Sequence, residues 1–154
     1  MTFYIAALLL GVICGLRTVM GPAAVCWAAA LGVVKLAGTP LAFLGAPVTP
    51  WVVSALALGE LVADKLPMTP SRKVPVQFGA RILSGGFCGA AVGLSAGAWL
   101  PGLVLGVTGA VAGTFGGAAA RGRLAAMFGR DLPAALTEDV VAVAGAALIV
   151  GVLL

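Results

Sequence analysis

Six charged residues fall inside or beside apolar stretches, and their types and spacing could do chemistry: Arg17, Glu60, Asp64, Arg81, Glu138 and Asp139. Glu60 and Asp64 are one helical turn apart and would share a face. Glu138 and Asp139 are adjacent, one to two turns into the last apolar segment, which opens at Pro133. A charge held in hydrocarbon costs about 3 kcal/mol or more, so it persists mainly where it pairs or lines water. Carboxylates so placed bind a proton or a cation, while Arg17 and Arg81 attract an anionic group or hold the acids. The same charges can instead form sealed ion pairs, with Arg17–Glu138 and Glu60–Arg81 as the expected partners. Asp64, Lys65 and Arg81 are also close enough to a membrane edge to snorkel. Glu138 and Asp139 can complement a helix dipole.

Other chemistries are poorly supplied. The chain has no His, and its three cysteines are scattered, which argues against a His-based dyad or a zinc site. No activated nucleophile or metal-binding Asp pattern accompanies the acids. No catalytic residue, cofactor or metal is therefore expected, and the chain is not read as an enzyme. Cys14, Cys26 and Cys88 lie in apolar stretches and serve as small packing residues.

The elements that must position these charges follow from composition. Of 154 residues 62% are hydrophobic and 9% charged, against about a quarter charged in soluble domains. Residues 2–16, 18–34, 36–59, 82–120 and 140–154 are uncharged, and a helical span needs about 20 apolar residues. Helices are expected over 50–66, 76–98, 102–122 and 133–154, with a turn at Trp99-Leu100-Pro101-Gly102. A single helix of about 35 residues at the start would be about 50 Å long, and Gly21-Pro22 should break or kink it. Residues 1–37 are thus either one broken span with Arg17 near its centre or a two-helix hairpin. The apolar loop 38–49 suits the interface or a re-entrant path. The expected fold is an all-α polytopic transmembrane bundle, a single domain over 1–154, with about five Gly/Ala-rich spans and a broken first helix.

Basic residues set the orientation. Lys65, Arg72 and Lys73 fill one connection and Arg121, Arg123 and Arg130 another. The positive-inside rule makes loops 65–76 and 121–132 cytoplasmic and the C-terminus external. Trp51 and Trp99 then both fall at the outer interface. The opening Met1-Thr2-Phe3-Tyr4 has no basic region, so no cleaved signal is expected. This placement accounts for the pI near 9.4 without nucleic acid as a partner.

Gly85, Gly89, Gly93 and Gly97 recur every fourth residue, as do Gly109, Gly113 and Gly117. Each series makes a smooth helix face on which another backbone can pack closely. The faces serve packing within one subunit or a homo-oligomer. A candidate inverted repeat relates Gly15-Leu16-Arg17 and Ala23-Ala24-Val25 to Gly79-Ala80-Arg81 and Ala90-Ala91-Val92. Pro50 with Glu60 and Asp64 echoes Pro133 with Glu138 and Asp139, in a different register.

Gly15-Leu16-Arg17-Thr18, Gly21-Pro22-Ala23-Ala24, the string from Gly59 to Pro67, Thr69-Pro70-Ser71-Arg72 and Leu132-Pro133 with Glu138-Asp139 together carry a resemblance. The chain resembles a family of small bacterial integral membrane proteins catalogued as a domain of unknown function. The resemblance implies a multi-span inner-membrane protein and carries no activity. The expectation is a small inner-membrane transporter or channel-like protein for a small solute or ion, using the six charges, with membrane lipid around it. The alternative is a non-catalytic scaffold or lipid-binding subunit whose buried ion pairs are structural.

Overall fold

A computed structural model describes residues 2–65 and 74–154, which form six helices and no strand. They are α1 (Thr2–Leu16), α2 (Met20–Ala30), α3 (Thr49–Ala63), α4 (Pro75–Ser95), α5 (Trp99–Phe128) and α6 (Asp131–Leu148). A short 3-10 turn, Ala42–Gly45, precedes α3, and a π-helical turn, Ile149–Leu153, continues α6. Three helices are long and apolar enough to cross a membrane: α4 with 21 residues, α5 with 30, and α6 with its continuation, 23. The other three are apolar but shorter.

The first segment breaks three residues earlier than Gly21-Pro22. Helix α1 ends at Leu16 and α2 starts at Met20, so Pro22 is the third residue of a helix. Proline is tolerated there because its missing N–H has no intrahelical partner to lose. The missing bond would have gone to the Thr18 carbonyl, which instead accepts the Ser84 hydroxyl at 2.5 Å. The two pieces fold back on each other. A Cβ on Gly21 would strike the Cys14 thiol, with the Leu10 carbonyl 3.4 Å away, so α2 returns along α1. The hairpin reading holds, and one broken span plus four becomes six helices.

The same first-turn tolerance moves other boundaries. Trp99-Leu100-Pro101-Gly102, expected as a turn, opens α5, and the chain turns instead at Gly97, whose φ is +71°. Gly97 is therefore a turn residue and not part of the α4 stripe. Helix α5 continues to Phe128 and stops at Gly129, with φ +67°. Arg121 and Arg123, expected in a loop, thus ride on its last turns. Thr69-Pro70-Ser71-Arg72, Leu66-Pro67 and Lys73 lie outside the described residues.

Helix α5 packs against both α1 and α4, which also touch each other, with backbone against backbone. Gly89 faces the Gly102 carbonyl and Gly106, and a Cβ on Gly93 would come within 2.5 Å of the Ala98 carbonyl. On the other side, a Cβ on Gly15 would lie 2.5 Å from the Ala110 carbonyl, and Gly109 and Gly113 face the carbonyls of Leu8 and Val12. These glycine faces are occupied by helices of the same chain. Gly117 is also buried, whereas Gly116 opens on free space.

Helices α2, α4 and α6 run away from the Arg17 end, and α1, α3 and α5 run toward it. Arg81 reaches Gly15, Cys88 lies by Cys14, Ser54 meets Trp27 and Asp139 meets Arg17. Gly15-Leu16-Arg17 closes α1 and Ala23-Ala24-Val25 lies in α2, whereas both matching strings lie in α4; α3 and α6 run in opposite directions. Helix α3 is the least embedded: it packs on α2 and the 3-10 turn, and only Pro50 and Ala57 are buried. Large apolar side chains such as Leu58, Leu83 and Val140 are mostly exposed, as expected of helices whose outer solvent is lipid.

Candidate functional site

The site grows from the interruption at Arg17–Val19. A break leaves the last carbonyls of one helix and the first N–H groups of the next without partners. Helix α1 ends on the Gly15 and Leu16 carbonyls, which accept Nη1 of Arg81 at 2.8 and 2.7 Å. Just before α2, the N–H groups of Thr18 and of its N-cap Val19 donate to the Glu60 carboxylate at 2.6 and 2.8 Å. Cation meets the negative end of one helix and anion the positive end of the other. Glu60 and Arg81, expected as a pair, instead cap the two sides of one break.

Arg17 stands in the gap, fully buried. Its Nε donates to Asp139 Oδ1 at 2.8 Å, and Nη1 pairs with Asp64. Nη2 lies 2.5 Å from Asp139 Oδ1 and 3.9 Å from Glu138 Oε2. The expected Arg17–Glu138 pair is thus a peripheral contact, and Asp139 and Asp64 are the direct partners. Neighbouring helical residues point about 100° apart, and Asp139 faces Arg17 more directly than Glu138. Glu138 turns toward α5, where Arg121 Nη1 lies 3.6 Å away. Arg121 also holds Asp131 through two hydrogen bonds of 2.9 and 2.6 Å.

Lys65 completes the network. Its ammonium donates to Asp139 Oδ2 at 2.5 Å and to the Leu61 carbonyl at 2.8 Å, joining the end of α3 to α6. Exposure rises outward from Arg17 at 0%, through Asp139 at 10% and Asp64 at 16%, to Lys65 at 25%. The charges form a graded path from the interior to one end of the bundle. Among the described residues no three acid, Cys or His side chains converge on one point; the carboxylates face guanidinium, ammonium and backbone N–H.

The structure thus brings Arg17, Asp64, Asp139 and Glu138 into one network and sets Glu60 and Arg81 at its margins. Sequence reasoning missed the roles of Lys65, Arg121 and Ser84. Lys65 follows Asp64 directly, which was a usable signal, because a basic residue just past a helix end can reach back across it. Nothing local pointed to Ser84, whose partner is the carbonyl orphaned by Pro22. Comparison with protein-family models, with curated proteins and with solved structures finds no match. The functional reading rests on this geometry.

Proposed function

We propose that this protein is a small transporter of the cytoplasmic membrane in which α3 moves against the rest of the bundle and the Arg17 network couples that movement to a proton or ion. The observation that carries the reading is a fully buried Arg17, at the junction of two half-helices, held by carboxylates from two different helices. Interrupted helices with charged groups at their inner ends are a recurrent way to build a solute site in a membrane. The loose seating of α3 supports it: among the described residues, its attachments at the charged end include Glu60 on the Thr18 and Val19 N–H groups, Asp64 on Arg17 and Lys65 on Asp139. Protonating Glu60 or Asp64 removes the charge that binds it there. Asp139 keeps Arg17 neutralised while α3 swings, and water and solute enter from the basic end. That end faces the cytoplasm, with the 31–48 connection and both chain ends opposite.

A second reading has its own support. Each of the five acids already has a protein partner, as a static scaffold with structural ion pairs requires. Water access separates the two. In a variant without the native cysteines, Thr18→Cys, Leu61→Cys and Thr137→Cys are each tested with a membrane-impermeant thiol reagent, in intact cells and in inverted vesicles. Transport predicts labelling at two or more of these sites, faster at acidic pH where α3 releases. A folded protein that resists labelling from both sides is a scaffold.

A further inference from the structure

An apolar groove of about 560 Å³ runs between α3 and α6 with α2 as its floor. Ala23 and Trp27 lie along the floor, Ala57 and Leu61 on the α3 wall, and Val143 and Ala147 on the α6 wall. The one hydroxyl lining it, Ser54, accepts a 3.0 Å hydrogen bond from the Trp27 indole, so the lining offers an incoming molecule almost no polar partner. The floor extends from Met20 to Leu31, about 16 Å at the helical rise. That matches one bilayer leaflet, half of the roughly 30 Å hydrocarbon core. At the charged end the lining stops at Leu61 and Val143, each four residues from a partner in the Lys65–Asp139 bridge that joins the end of α3 to α6. Lys65 is the most exposed cation of the Arg17 network, whereas Arg17 is sealed.

We infer that the groove is a binding site for an anionic phospholipid of the leaflet on the basic side, with one acyl chain between α3 and α6 and its phosphate at Lys65. Length, apolar lining and lateral opening fit an acyl chain. The cation stands at the end where that leaflet's headgroups lie, and a juxtamembrane lysine favours anionic lipid. The phosphate shares Lys65 with Asp139, which still holds Arg17. The inference does not depend on transport, because the site serves a static protein equally well.

Trp27 provides the reporter, since brominated acyl chains quench an indole only on contact. The full-length protein carrying Trp51→Phe and Trp99→Phe is reconstituted in phosphatidylcholine vesicles containing a small fraction of brominated phosphatidylglycerol or of brominated phosphatidylcholine. The phosphatidylglycerol should quench at about five-fold lower mole fraction, the increment expected of one lysine near the surface. Lys65→Gln should erase that preference and Lys65→Arg keep it. Ala147→Phe, at an exposed position that needs no repacking, fills the groove and should protect Trp27 from both lipids. Equal quenching by the two lipids overturns the assignment of Lys65. Undiminished quenching in Ala147→Phe overturns the groove as the site.

Discussion

At the scale of single residues, Arg17 and Asp131 mark the two ends of what a charge can contribute here. Removing one partner of a buried ionic network leaves the others uncompensated, at a cost of about 3–5 kcal/mol. Arg17→Met, which leaves Asp64 without its cation and Asp139 with Lys65 alone, should therefore unfold at much lower denaturant in detergent micelles, as followed by circular dichroism. Asp131, whose side chain is 63% exposed in its pair with Arg121, belongs to the class of surface bridges contributing about 0–1 kcal/mol. Asp131→Asn should leave the same unfolding curve nearly unmoved. Glu60 separates function from stability more finely. Glu60→Gln keeps an oxygen for the α2 N-terminus but cannot gain or lose a proton. Under the transport reading it should remain folded and lose the acid-dependent rise in Leu61→Cys labelling; an unchanged rise would remove Glu60 from the coupling step.

Among the elements, the glycine faces of α5 and the acidic end of α3 make opposite demands. Gly106 meets the Gly85 carbonyl and Gly89 on one side and also contacts Gly11. Gly106→Leu should therefore prevent a monodisperse protein from forming, while Gly116→Leu, at an open position, should be tolerated; size-exclusion chromatography distinguishes them. For α3, spin labels at Leu58 and Ala147 should give a single narrow distance at neutral pH and a broader, longer distribution in acid, if protonation frees the helix. How far these elements were legible depends on proline. The positions of α3 and α6 were readable to within a few residues because Pro50 and Pro133 lie in their first turns, and α4 because an uncharged run is broken at the 97–99 turn. Pro22 and Pro101 were misread as breaks, since a first-turn proline and a proline after a turn look alike locally. Only the tertiary partner of the orphaned Thr18 carbonyl decides between them.

Across the whole molecule, all-helical architecture and membrane character were legible from the scarcity of charge, and the six candidate charges lie in or beside one network. Their pairing was not legible, because it depends on helix rotation: a turn of about 100° decides whether Glu138 or Asp139 meets Arg17 more directly. The count of helices changed for a related reason, since hairpin and broken span share one hydropathy profile. If all six helices cross, both chain ends lie on the side away from Arg123 and Arg130, which make no ion pair among the described residues. Protease added to intact cells should remove epitope tags from both ends. Protection of the N-terminal tag alone would restore the five-span arrangement.

The packing of α1, α5 and α4 has a mechanical consequence. A contact made through side chains can slip, because rotamers rearrange and fill new gaps. One made between bare backbones has no such slack, and a shift of an ångström brings carbonyl oxygens into collision or opens a void that nothing can fill. Those three helices therefore resist sliding past one another. Any relative motion of helices falls to the opposite side, where α3 and α6 face each other across a groove and are joined by the Lys65–Asp139 pair.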